Sequence, residues 1–154
     1  GRNEITTEGG VDVVTNMDNL RSLVQALKDV GIRTSAFVNA DAKQIEAANA
    51  CGFDVCEIHT GTFAETVIKN DMSLTHDKVC DSMRPICEAV EQINELGMQC
   101  NAGHGLTHHN VGNIASIKGI EELHIGHSII SRSVIIGIRN SVQEMKQGMK
   151  DAIE

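Results

Sequence analysis

The chain has no tryptophan and no tyrosine, and three phenylalanines are its whole complement of FWY aromatics. A surface on which successive bases could stack is therefore not to be expected. Clusters of positive charge are missing too. Thirteen basic residues stand against twenty-one acidic ones, a formal net charge of −8, with no lysine or arginine run. Nucleic acid is thus a poor partner for this sequence. No apolar stretch approaches the roughly twenty residues that span a bilayer, and the first residues do not read as a secretory signal, so no membrane partner is expected. The five cysteines (Cys51, Cys56, Cys80, Cys87, Cys100) form no C-x-x-C pair and leave an odd one over. That count argues against a disulfide framework and for reduced thiols. The expectation is a cytoplasmic protein. Net acidity does not exclude a small anionic substrate, because a few N–H groups set the field inside a pocket.

What the sequence does contain is a strand–helix cycle in one domain, residues 1–154. Leu20, Leu23, Val24, Leu27 and Val30 fall on one helical face, stopped by Gly31. Residues 34–38 read as a buried strand. Asp41 opens a second helix, with Ile45 and Ala48 inside it and Gly52 at its end, and residues 55–59 form the next strand. A long helix is expected from about Thr75 to Gly97, on the stripe Val79, Met83, Ile86, Val90 and Ile93, kinked or divided at Pro85, the chain's single proline. Strands at residues 98–101 and 122–125 bracket a short helix at 111–117. A final helix is expected from Ser133 or Ile138 to the end, with Val142, Met145 and Met149 as core packing.

Alternating strands and helices imply a parallel sheet. A dinucleotide fold lacks its G-x-G-x-x-G after a first strand. The chemistry-bearing residues instead follow several successive strands, as in a (β/α)8 TIM barrel. About four βα units are present and eight close a barrel. The expectation is the C-terminal half of such a barrel, with the N-terminal half, roughly one hundred residues by the usual barrel length, absent from this chain. A half-barrel is expected to leave two sheet edges and an apolar inner face, to be covered by the missing N-terminal half or another chain.

The densest chemistry lies in Asn101-Ala102-Gly103-His104-Gly105-Leu106-Thr107-His108-His109-Asn110. Gly103 and Gly105 flank His104 and would let a ligand approach the backbone; His104 is suited to proton exchange near neutral pH. A second turn, His124-Ile125-Gly126-His127-Ser128, follows the next apolar run. Two glycine–histidine turns after consecutive strands match the phosphate site of a (β/α)8 barrel. Glu57 lies on an apolar strand, where an ionised carboxylate is costly without partners, which favours a functional role. His59 reads as a hydrogen-bonded strand-end residue outside the catalytic set. His104, His108 and His109 do not suggest zinc, because adjacent histidines diverge and no H-E-x-x-H or cysteine cluster accompanies them. No metal is expected.

Four segments in register now become specific: Glu4-Ile5-Thr6-Thr7-Glu8-Gly9-Gly10-Val11-Asp12-Val13, Glu57-Ile58-His59-Thr60-Gly61, residues 101–106, and Ile125-Gly126-His127-Ser128-Ile129-Ile130. Together they resemble the signatures of the pyridoxine 5′-phosphate synthase family over essentially the whole chain. The resemblance implies a (β/α)8 barrel that condenses 1-deoxy-D-xylulose 5-phosphate with 3-amino-2-oxopropyl phosphate, releasing phosphate and water, without a cofactor. It implies that His104 donates a proton, that Glu57 stabilises a charged transition state, and that Gly105, Gly126 and His127 grip the aminoketone phosphate. Thr6 would contact the deoxyxylulose phosphate, and residues 6–10 would form a lid, with Glu8 a solvated charge on it. The partners implied are phosphorylated small molecules and further copies in a homo-oligomer. Further acid/base groups of the family, and an arginine crossing a dimer contact, belong to its N-terminal half. Ser131 replaces the family's usual glycine before Arg132, and His108 stands where tyrosine is common. The alternative is a non-catalytic phosphate-binding half-barrel or assembly subunit.

Overall fold

The structure is a computed structural model that describes residues 9–153. Four strands alternate with helices: α1 (Met17–Asp29), β1 (Ser35–Val38), α2 (Ala42–Cys51), β2 (Val55–His59), α3 (Gly61–Lys69), α4 (Asp77–Glu95), β3 (Gln99–Gly103), α5 (Val111–Ala115), β4 (Glu122–His124), α6 (His127–Ile136) and α7 (Ile138–Asp151). The strands are all parallel and stand in the order β1-β2-β3-β4. A doubly wound sheet reverses strand order at a switch point; this order runs in one direction, as around a barrel wall. The architecture is four βα units of a (β/α)8 barrel.

Local sequence explains the elements. Asp41 caps α2 by accepting from the Lys43 and Gln44 backbone N–H groups, both at 3.0 Å, and Gly52, at φ +87°, ends it. The helix-facing side of the sheet presents Ala36, Val38, Cys56, Ile58, Cys100 and Ala102, all at most 1% exposed, to a core shared with Ile45, Phe63, Val67, Val79, Val90 and Ile93.

Several expectations need correction. The inner face of the four strands is polar, not apolar: Glu57, His59, Gln99, Asn101, Glu122 and His124 alternate with the buried apolar positions, accompanied by Phe37. The long helix is not divided; α4 runs through Pro85. Pro85 is exposed, as is Asp81, whose carbonyl loses its helical partner, while Val79, Ile86, Val90 and Ile93 hold both halves against the core. The helix α3 was not foreseen, because only Phe63, Ala64 and Val67 give it an apolar side. The final helix, α7, takes the later of its two expected starts, Ile138, and a separate helix not foreseen, α6, precedes it, the two parted at Gly137 with φ +81°. The strand β3 continues two residues beyond its expected end, to Gly103. Three residues assigned to apolar stripes lie at the surface: Leu23 at 55%, Val30 at 70% and Val142 at 38% exposure. Leu23 stands with Leu20 and Leu27 in a groove beside β1.

Candidate active site

The strands end on one side of the sheet, and their last residues make the site. Register aligns Phe37 with Glu57, Glu57 with Asn101, and Asn101 with Glu122. One step further, His59 aligns with Gly103 and Gly103 with His124. Glu57, His104, Gly105, Gly126 and His127 are thereby brought together on the wall of one cleft of about 680 Å³, shared with His124 and Phe37. Of the residues singled out from sequence, Thr6 and Glu8 lie outside the described residues.

The backbone at His104 is strained. Its φ is +81°, a region that side chains other than glycine's rarely occupy, and Gly105 follows at φ +74°. The strain has a visible restraint. Thr60, fully buried, places its Oγ1 2.7 Å from the Gly103 carbonyl and 2.6 Å from the His104 carbonyl. Its backbone N–H also donates to the Gly103 carbonyl at 2.8 Å. The His104 ring rests against that of His59, with centroids 4.7 Å apart, and Phe37 meets His59 edge-on at 5.4 Å. His59 therefore forms the floor under His104.

The two glycines around His104 also make room for protein groups. A Cβ on Gly103 would lie 2.6 Å from Glu57 Oε1 and 2.9 Å from the His124 carbonyl; one on Gly105 would lie 2.6 Å from the Ala64 Cβ. Protein groups fill both spaces. Gly126 is different: among the described residues a Cβ there meets nothing within 4 Å, which leaves room for a ligand at the second turn. Gly126 is the N-cap of α6 and His127 its first residue. The first-turn N–H groups of a helix lack internal partners and suit an anion. Ser128 donates to the Leu106 carbonyl at 2.6 Å, which ties the two glycine–histidine turns to each other. Among the described residues the cleft wall contains neither lysine nor arginine, and its groups suited to negative charge are backbone N–H groups and histidines.

Sequence reasoning missed His124. Its Nδ1 lies 2.7 Å from Glu57 Oε2, across β3, the one strand between β2 and β4. The Glu57 side chain is 16% exposed and that of His124 46%. Burial opposes a charged ring at His124, but the hydrogen bond and charge of Glu57, with Glu122 behind them, outweigh it and raise the proton affinity above the ordinary histidine value. A histidine before a Gly-His turn was visible in the sequence; its carboxylate partner, sixty-seven residues away, was not. The cysteines offer no competing nucleophile in the cleft. Burial pushes the Cys56 and Cys100 thiols up to about 12. Among the described residues, no three His, Cys, Asp or Glu side chains converge as a metal site.

Comparison with known proteins agrees in one direction. The family model described as pyridoxal phosphate biosynthesis protein PdxJ matches residues 1–151. A pyridoxine 5′-phosphate synthase of Dechloromonas aromatica is 45% identical over 154 residues, all of this chain and 61% of the relative. That of Aromatoleum aromaticum is 45% identical over 152 residues, covering 99% and 61%. That of Coxiella burnetii is 46% identical over 145 residues, covering 94% and 58%. The chain spans about three-fifths of the length of these relatives.

Proposed function

The chain belongs to the pyridoxal phosphate biosynthesis protein PdxJ family, and on that premise we propose that it contributes to a pyridoxine 5′-phosphate synthase. The reaction proposed is the condensation of 1-deoxy-D-xylulose 5-phosphate with 3-amino-2-oxopropyl phosphate, giving pyridoxine 5′-phosphate, phosphate and water. The observation that supports it is the meeting of a carboxylate, Glu57, a histidine, His104, and an open helix N-terminus at Gly126 in one cleft.

Joining an amine to a ketone expels water, and closing the ring expels more. Each step moves protons, for which a histidine and a carboxylate are suited. His104, held at the cleft wall, delivers a proton to the departing oxygen. Glu57 stabilises positive charge as it develops on the substrate nitrogen. The backbone N–H groups at Gly105 and Gly126, with His127, take the phosphate that the aminoketone carries. Thr6, outside the described residues, is assigned by the family resemblance to the second substrate, and residues 6–10 to a lid. Within this proposal the protein is a cytoplasmic homo-oligomer. Assembly is supported by the apolar surface of α6 and α7, where Ile130, Val134, Ile135 and Ile138 are 54–83% exposed.

The test is formation of pyridoxine 5′-phosphate from the two phosphorylated substrates, followed by mass spectrometry and phosphate release. Product supports the enzyme. Binding of inorganic phosphate without product supports the second reading, a non-catalytic phosphate-binding half-barrel or assembly subunit.

A further inference from the structure

We propose that His124 is a positioning residue for Glu57, whose carboxylate it holds toward the cleft through Nδ1–H. The inference rests on the reading of Glu57 as a catalytic group, and it adds a residue that the motifs did not single out.

The donor and acceptor directions follow from one fixed end. The Arg33 guanidinium can only donate, and it reaches Gln99 Oε1 at 2.9 Å. Gln99 must then present its amide N–H to Asn101 Oδ1, at 3.0 Å. Asn101 in turn directs its Nδ2 group at Glu122 Oε2, 3.2 Å away, and at His124 Nε2, 3.4 Å away. The inner faces of β3 and β4 thus carry a chain of hydrogen bonds with a single polarity. Asn101 is 3% exposed, so its amide has few alternatives.

At the far end of the chain the two ring nitrogens of His124 face different partners. Among the described residues, Nδ1 faces only the Glu57 carboxylate, an acceptor, at 2.7 Å. It must carry a proton to make that bond. Nε2 faces a donor, Asn101, and an acceptor, Glu122 Oε2 at 3.5 Å. A neutral ring can accept from Asn101, and a protonated ring can donate to Glu122. The grip on Glu57 therefore persists through the titration of His124. The groups that face His124 are Glu57 from β2, Asn101 from β3 and Glu122 on its own strand, with His104 and His127 lining the same cleft. Gly103 completes the arrangement, because any Cβ there would strike Glu57 Oε1 at 2.6 Å and displace the pair.

An unconstrained neutral histidine keeps its proton mainly on Nε2, so the tautomer is diagnostic. The experiment is a pH titration of the ¹⁵N-histidine-labelled full-length protein by long-range ¹H–¹⁵N NMR, assigned with His124→Asn. The expected result is that His124 passes from imidazolium to the Nδ1–H tautomer, and that Glu57→Ala returns it to Nε2–H with a lower pKa. A neutral Nε2–H ring in the unaltered protein overturns the proposal, whether or not the protein makes product. Steady-state kinetics add a second arm. Misplacing a catalytic group by about 1 Å can cost about 100-fold, so His124→Ala should lower kcat by about that factor with KM changed far less. Asparagine carries an amide N–H on the atom that corresponds to Nδ1, and His124→Asn should recover at least tenfold of the loss. Equal kcat in His124→Ala and the unaltered enzyme overturns the positioning role. Absence of product from the unaltered enzyme counts against the proposed reaction alone, since the NMR arm does not need turnover.

Discussion

The hydroxyl of Thr60 lies 2.6 Å from the carbonyl oxygen of His104, and this contact restrains a residue whose backbone sits at φ +81°. The same hydroxyl is 2.7 Å from the Gly103 carbonyl, so one proton serves two neighbouring acceptors in the turn that presents His104. Left-handed backbone at a non-glycine residue costs about 1–3 kcal/mol and persists only where its surroundings over-determine it.

Thr60→Val keeps the shape of the side chain and removes the donor. The Gly103 carbonyl keeps the Thr60 N–H, but the part-buried His104 carbonyl loses the hydroxyl, which should cost about 1–3 kcal/mol of stability, read as a lower midpoint in urea unfolding. Turnover should fall further than stability accounts for, and Thr60→Ser should restore both. Unchanged turnover in Thr60→Val would remove Thr60 from any account of how His104 is held.

The glycines at the two turns should respond differently to alanine. In Gly103→Ala the new Cβ meets Glu57 Oε1 and the His124 backbone, and overpacking of this kind costs about 1–3 kcal/mol. Gly126→Ala meets nothing within 4 Å, at an ordinary φ of −123°. Its fold should be as stable as the unaltered one, while its affinity for inorganic phosphate drops because the methyl group enters the ligand's space. Calorimetric titration with phosphate, beside thermal melts, distinguishes the two. Full phosphate affinity in Gly126→Ala would place the anion elsewhere.

The raised proton affinity of His124 makes part of the stability depend on pH. The folded chain holds this proton more tightly than the unfolded chain, whose histidine titrates near about 6.5. The contribution is complete below that pH and disappears as pH rises through the higher folded value. Thermal midpoints of the unaltered protein and His124→Asn should therefore differ more at pH 6 than at pH 9. A difference that grows with rising pH would have the wrong sign.

Much of the fold was legible because it is written in short-range patterns. The spacing of Val79, Ile86, Val90 and Ile93 gave α4, Asp41 and Gly52 gave both ends of α2, and residues 55–59 matched β2 without adjustment. The helix α6 was hidden because it buries no residue completely, so its isoleucines and valines show no one-sided period. The polar inner face was hidden for a different reason. Gln99, Asn101 and Glu122 look like surface residues until register sets them beside one another. For the site, glycines and histidines marked the turns, and five of the six residues singled out line one cleft. His124 was overlooked because its meaning lies in Glu57, on a strand two places away in the sheet. Gly103 was read as room for a ligand because sequence does not show that Glu57 occupies that room.

The most direct measurement is turnover and phosphate binding in His104→Ala of the full-length protein, side by side with the unaltered enzyme. The side chain of His104 is exposed in the cleft, so its removal should leave the melting temperature close to that of the unaltered protein. General acid–base catalysis contributes about 10²–10⁴-fold, and pyridoxine 5′-phosphate formation should fall by that order while inorganic phosphate binds as before. Turnover within twofold of the unaltered enzyme would contradict the assignment of His104, and with it the identification of this cleft as the place where the reaction occurs.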